Sequence, residues 1–189
     1  MARKLIGMRL ESRIGGVITG GAIMETEAYL GCQDPASHAY RGRLNRSNRS
    51  IYSRPGTWYV YLSYGMHWCL NLVTGPPGEG AAVLIRGMIP DTGVATMIAR
   101  RVAGRTERST SAKSVLPQKL VDGPGKLAQA LGIDSGLDGV VMLRSAVRII
   151  SRHHLKDGEI EATPRIGISK AADWPLRFVW RGSGSDRAR

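Results

Sequence analysis

The densest grouping of side chains able to do chemistry is Glu25-Thr26-Glu27-Ala28-Tyr29. On a β-strand the side-chain period is two, so Glu25, Glu27 and Tyr29 fall on one face. A carboxylate placed there can take a proton from water or stabilise positive charge developing on a substrate. Two solvated glutamates on a surface strand are the ordinary alternative. The next forty residues of the chain argue for chemistry. His38 comes first, and then Arg41 to Arg54 carries arginines at 41, 43, 46, 49 and 54 with no acidic residue. Tyr59, Tyr61 and Tyr64 come directly after. Tyr59 and Tyr61 share a strand face, whereas Tyr64 falls at the strand end beside Gly65, where it can protrude. Aromatics at the rim of a cationic groove suit stacking on nucleobases. Core packing accounts equally well for Trp58 and Tyr59.

These residues need a scaffold, and the pattern predicts a strand-rich one. Strands are expected over Lys4–Leu10 and Gly16–Met24, the second extended by Thr26–Leu30. Residues 31–56 read as loop, given Gly31, Pro35, Gly42, the Asn/Ser cluster and Pro55-Gly56. Thr57–Ser63 crowds β-branched and aromatic residues as strands prefer. Trp68–Thr74 and Ala81–Met88 are two more strands, split by the turn Gly75-Pro76-Pro77-Gly78. Gly93–Val102 is a helix, and 104–117 is a polar, mobile segment. Gly123-Pro124-Gly125 opens a second helix, Lys126–Leu131, which Gly132 ends. Val140–Ile150 and Arg177–Trp180 supply late strands. Without a repeat or linker, the expectation is one α+β domain over 1–189, with a basic tail at 184–189, rather than a doubly wound sheet.

The chain has 189 residues with 27 Lys and Arg against 15 Asp and Glu, a formal net charge of +12. Such a balance favours a polyanionic partner, nucleic acid first. The apolar fraction of 42% suffices for a core and excludes a fully disordered chain. No run approaches the roughly 20 apolar residues of a membrane span, and the basic start MARKLIGMRLESR lacks the apolar stretch of a signal peptide. Two cysteines, Cys32 and Cys69, are too few for a disulfide scaffold or a four-cysteine zinc site, so a reduced, cytoplasmic protein is expected. Asp122-Gly123-Pro124-Gly125-Lys126 lacks the full Walker pattern and reads as a helix cap or a backbone contact to DNA. His153-His154 lacks zincin spacing, and no metal site is expected.

Taken in order, ETEAYLG, His38, the Arg/Asn loop, RPGTWYVYLSYGMHWCLN, VLIRGMIP, DGPGKLAQALGI, RIGIS and WPLRFVWRGS resemble the alkyladenine (3-methyladenine) DNA glycosylase family of the methylpurine type. The likeness runs from about Leu5 to Ser183. It implies a curved, mainly antiparallel sheet with peripheral helices, no helix-hairpin-helix, no metal or other cofactor, and excision of damaged purines. By resemblance Glu27 is the general base that activates water, and Arg86 helps to position that water. Tyr29, His38 and Tyr61 line the pocket of the extruded base, and Asn71 crowds the exocyclic amino group of guanine. Tyr64 fills the gap left in the duplex. Arg41, Arg43, Arg46 and Arg49 are the expected phosphate contacts. Extrusion is what chemistry at a glycosidic bond requires, and electron-rich Tyr faces hold a cationic alkylated purine more tightly than a neutral one.

The expectation is thus a monomeric, monofunctional glycosylase acting on double-stranded DNA, cytoplasmic in a bacterium or nuclear in a eukaryote, with no membrane partner. A lyase needs an amine nucleophile, and no Lys lies within the motifs that would build the pocket. The rival is a non-catalytic nucleic-acid-binding domain on the same scaffold, which has no use for a carboxylate beside phosphates.

Overall fold

The computed structural model describes residues 1–103, 119–151 and 155–183. A helical turn, α1 (Ala2–Leu5), leads into β1 (Arg9–Ser12) and the long β2 (Thr19–Leu30). A loop wound through short 3-10 turns reaches the hairpin of β3 (Trp58–Ser63) and β4 (His67–Val73), after which β5 (Ala81–Thr92) returns beside β2. Helices α2 (Val94–Ala103) and α3 (Pro124–Leu131) come next, then β6 (Val147–Ile150), β7 (Ile160–Thr163) and β8 (Arg177–Trp180). The strands lie in the order β3-β4-β5-β2-β1-β6, and every pairing is antiparallel. One edge of β2 changes partner along its length. Thr19–Ala22 pair with β1, whereas Glu25–Glu27 pair with β8, which carries β7 on its far side. The mixed α+β domain built on a mainly antiparallel sheet is the one expected from the sequence.

Strand alternation divides the sheet into two working faces. Trp58, Val60, Leu70, Leu72, Val83 and Ile85 point into the main core, where Leu127 and Leu131 of α3 meet them. Each large apolar side chain buried there contributes about 1.5–3 kcal/mol. Trp58 can be wholly buried because its Nε1–H donates to the Val147 carbonyl at 3.0 Å. Pro124 sits in the first turn of α3, where a missing N–H costs nothing, and Gly132 ends the helix at φ 74°. The opposite face of β2–β5 carries a smaller cluster of Ala39, Ile51, Tyr59, Val73 and Ala82, and beside it the site.

Several boundaries depart from the sequence reading. In place of a strand over Lys4–Leu10, residues 2–5 form α1 and only Arg9–Ser12 is strand; a helical turn brings Ala2 and Leu5 together onto the core. The strand expected from Gly16 with its Thr26–Leu30 extension is a single strand, but it starts at Thr19. Val140–Ile150 contributes only β6, because Met142–Arg144 is a 3-10 turn. The four-residue β7 was not expected. The 104–117 segment, His153-His154 and the 184–189 tail lie outside the described residues.

Candidate active site

Two bulges build the centre of the site. Ile23 pairs with Met88 and Glu25 with Gly87, so Met24 is an extra residue on β2; Thr26 then pairs with Ile85, so Arg86 is an extra residue on β5. A bulge re-aims the side chain it carries. Here Arg86 turns to β2, its Nε donating to Glu25 Oε1 at 2.8 Å and its Nη1 to Glu27 Oε2 at 3.3 Å. The register also sets one row of neighbours across five strands: Tyr59, Asn71, Leu84, Glu27 and Arg177.

Glu27 is wholly buried. Its Oε1 accepts from the Ile166 amide at 2.8 Å, and its Oε2 accepts from the Tyr29 hydroxyl at 2.9 Å as well as from Arg86. These donors replace lost hydration, without which a buried carboxylate is strongly disfavoured. Glu25 Oε1 is held again by Arg177 Nε at 2.7 Å. Burial works against the charge on Arg86, but Glu27 and Glu25 outweigh it and raise its pKa. Solvated strand glutamates, the ordinary alternative, do not describe this pair.

In front of Glu27 opens a cavity of about 910 Å³. Its walls include Tyr29, His38, Tyr61, Asn71, Arg86 and Ile166. Of these, Tyr29, Arg86 and Ile166 touch the Glu27 carboxylate, which therefore lies immediately behind the cavity wall. Tyr59 and Tyr61 stack at 5.4 Å between centroids, and the His38 ring meets Tyr61 edge-on at 4.5 Å. His38 Nδ1 lies 2.6 Å from the Tyr59 hydroxyl. Burial, helped by the Arg43 charge, lowers the His38 pKa, so the ring is neutral at pH 7 with one donor and one acceptor nitrogen. Burial raises the Tyr29 and Tyr61 pKa values, so both phenols stay protonated. Asn71 Nδ2 is committed to the carbonyls of Tyr59 at 3.1 Å and Cys69 at 3.3 Å. Burial also raises the pKa of the Cys69 thiol, which makes it a packing residue rather than a nucleophile.

The β3–β4 hairpin forms one rim of the cavity. Its turn has positive φ at two successive residues, Tyr64 (51°) and Gly65 (68°), with the Met66 amide bonded to the Ser63 carbonyl. Such a turn matches the twist of the flanking strands, but a tyrosine in this conformation is strained by about 1–2 kcal/mol. Tyr64 is nonetheless 86% exposed, with Leu62 and Met66 also in solvent. The hairpin thus presents an apolar tip to solvent. Arg41, Arg43, Arg46 and Arg49 lie on the neighbouring loop, all four exposed. That loop is pinned from within by buried Asn48, whose Nδ2 donates to the carbonyls of His38 and Arg43 and whose Oδ1 accepts from the Asn45 amide.

Comparison with known proteins places this geometry. The family model for methylpurine-DNA glycosylase matches residues 1–184. The chain belongs to that family. The human DNA-3-methyladenine glycosylase is 37% identical over 189 residues, covering 97% of this chain and 62% of the human one. The mouse protein of the same name is 39% identical over 190 residues, 97% of this chain and 56% of its own. A Methanoculleus marisnigri relative is 43% identical over 186 residues, 97% of this chain and 90% of its own. As a methylpurine-DNA glycosylase family member, the protein is a hydrolase of glycosidic bonds that serves DNA repair. No helix among the described residues is long and apolar enough to cross a membrane.

The structure of this family member brings together Glu27, Arg86, Tyr29, His38, Tyr61 and Asn71 and sets Tyr64 on the cavity rim, whereas the four loop arginines are exposed and none of them lines the cavity. It also shows residues that the sequence reading passed over. Arg165 and Asp34 form a buried ion pair, Ile166 donates its amide to Glu27, and Arg177 shares Glu25 with Arg86. Burial opposes ionisation of Asp34, but hydrogen bonds from Arg165 and from the Ala36 and Leu30 amides prevail and lower its pKa. RIGIS and WPLRFVW carried the sequence signal for Arg165, Ile166 and Arg177, whereas Asp34 lies between ETEAYLG and His38 in no motif.

Proposed function

We propose that the protein is a monofunctional DNA glycosylase. On this reading it binds duplex DNA as a monomer, rotates a damaged purine into the cavity and hydrolyses its N-glycosidic bond with a water activated by Glu27. The carrying observation is the buried Glu27 carboxylate, held by Arg86, Tyr29 and the Ile166 amide against the wall of an aromatic cavity. Each carboxylate oxygen has two acceptor directions, and Oε1 uses one of them on Ile166, which leaves a second for water. That water adds to C1′, its proton passes to Glu27, and the bonding pair departs with the base. A purine alkylated at N3 or N7 leaves as a neutral molecule, so its departure requires no added proton. A deaminated purine leaves as an anion, and the proton it then takes up from solvent balances the one passed to Glu27.

The remaining parts serve this chemistry. A base must leave the stack before C1′ can be attacked, and a rigid exposed aromatic such as Tyr64 compensates the lost stacking. Exposed arginines at 41, 43, 46 and 49 neutralise phosphates without reading sequence. Tyr29 and Tyr61 present π faces to a cationic lesion. A binding domain without activity has no use for a desolvated carboxylate at this position. The test is incubation with duplex carrying a single hypoxanthine or ethenoadenine, followed by alkali. Strand cleavage only after alkali is expected, and an uncut lesion strand at every enzyme concentration refutes the reading for these lesions.

A further inference from the structure

We propose that the buried Asp34–Arg165 pair is a positioning device for the general base, holding Tyr29 and the Ile166 amide on Glu27; this rests on the assignment of Glu27 as the group that activates water. Both side chains are fully buried. The pair is bidentate, with Arg165 Nη1 to Asp34 Oδ2 at 2.5 Å and Nη2 to Oδ1 at 2.9 Å. The same Nη1 donates to the Ala28 carbonyl at 3.0 Å, which is the backbone link between Glu27 and Tyr29. The guanidinium carbon lies 4.8 Å from the Tyr29 ring centroid, with the Trp174 ring at 6.0 Å. Next in the chain is Ile166, whose N–H fixes Glu27 Oε1. One guanidinium thus touches the strand, the ring and the loop that together hold the carboxylate.

Asp34 ties this arrangement to the cavity wall. It accepts from the Leu30 amide at 3.1 Å and the Ala36 amide at 3.0 Å, fixing the segment that delivers His38. A buried ion pair is a poor device for stability, since an apolar pair of like volume does as well or better. What an apolar pair lacks is the fixed fork of the guanidinium, which sets direction as well as distance. Arg165 even leaves its buried Nε without a hydrogen-bond partner, a defect consistent with a geometry set by the Tyr29 contact and the Asp34 fork.

The test compares Arg165→Lys, which keeps the charge and loses the fork, with wild type and with Glu27→Gln. Single-turnover excision of hypoxanthine is measured at saturating enzyme, where the rate constant does not depend on the folded fraction. Affinity for duplex carrying an abasic-site analogue is measured alongside. Since displacement by about 1 Å can cost roughly 100-fold in rate, we expect Arg165→Lys to slow excision by at least about 10-fold while affinity stays within about 3-fold. A rate within about 2-fold of wild type, or rate and affinity falling by the same factor, overturns the inference. If Arg165→Lys does not fold, Ile166→Pro removes the relayed N–H and leaves the pair intact; slowed excision supports the proposal and a wild-type rate overturns it. Glu27→Gln keeps the two claims apart. Wild-type excision by that variant removes the reading of Glu27 itself, whereas a slow Glu27→Gln beside a wild-type-like Arg165→Lys removes only the positioning role.

Discussion

Replacing Glu27 by Gln keeps the volume and removes the basic oxygen, and the structure fixes what else it changes. Wild-type Oε1 accepts from Ile166 at 2.8 Å, and Oε2 accepts from Tyr29 at 2.9 Å and Arg86 at 3.3 Å. An amide has only one acceptor atom. If it faces Ile166, the NH₂ group occupies the Oε2 position and donates to Tyr29, whose hydroxyl reverses. Arg86 Nη1 then loses its partner, while Glu25 still holds Nε at 2.8 Å. One charge-assisted hydrogen bond is lost, at about 1.5–3 kcal/mol. For a domain of this size each kcal/mol lowers Tm by about 2–4 °C, so the variant should melt several degrees early yet remain folded at about 25 °C. Excision should fall far more, by at least about 10²-fold, the low end for loss of a general base. Each tenfold is about 1.36 kcal/mol of activation free energy. Saturating single-turnover kinetics on hypoxanthine duplex, read beside a melting curve, separates the two effects. A single-turnover rate near wild type refutes the assignment of Glu27, whatever the melting curve shows.

The same geometry sets other expectations. Tyr64→Gly relieves the positive-φ strain and removes the exposed ring, so Tm should hold or rise by a few degrees while affinity for lesion duplex falls at least about 10-fold; a fall in Tm with unchanged affinity contradicts both halves. Arg46→Ala or Arg49→Ala should weaken binding to damaged and plain duplex alike and flatten the slope of log K against log salt by about one unit. Damage-selective loss in a salt titration counts against a phosphate role. His38 has a folded pKa below its ordinary 6.5, so at intermediate pH the unfolded chain holds a proton that the folded chain rejects. Its contribution to stability is complete above about pH 6.5 and is lost as pH falls toward the folded value. Denaturant unfolding at about pH 5 and 7.5 should show less of this loss for His38→Gln, and an identical pH slope in the two proteins refutes it. Finally, among the described residues no lysine lines the cavity, and Lys126 is paired with Asp122 at 2.7 Å, so borohydride should trap no covalent adduct on lesion duplex. An adduct identifies an amine nucleophile.

The strand period alone makes Glu25, Glu27 and Tyr29 legible as one face, and the same rule pairs Tyr59 with Tyr61. The helix over 124–131 is legible from its Pro start and Gly stop. What sequence could not supply was register. Arg86 reaches Glu27 only because it is the extra residue of a bulge, and whether a bulge falls at 86 depends on how two distant strands slide. The Arg165–Asp34 pair spans 131 residues and the Arg177–Glu25 pair 152, so no local pattern joins them. The turn at 2–5 failed for another reason. Ala2-Arg3-Lys4-Leu5 is too short for its pattern to separate strand from helix, and packing of Ala2, Leu5 and Ile6 on the core decides between them.

The charges of the site bear on how a basic protein handles a cationic base. Three carboxylates, Glu25, Glu27 and Asp34, lie buried behind or beside the cavity, and three arginines, Arg86, Arg177 and Arg165, close on them. Formally these six groups cancel, so they account for none of the excess positive charge of the chain. The excess of +12 must then act from elsewhere. Part of it stands exposed on the loop of Arg41, Arg43, Arg46 and Arg49, which the proposed function assigns to phosphates outside the cavity. Capture of duplex and selection of the base are therefore separable. Salt should weaken the first steeply and leave the second, which depends on tyrosine faces and cavity shape, nearly untouched. A net positive cavity would have coupled them, repelling the alkylated purines that the DNA-binding surface had just delivered.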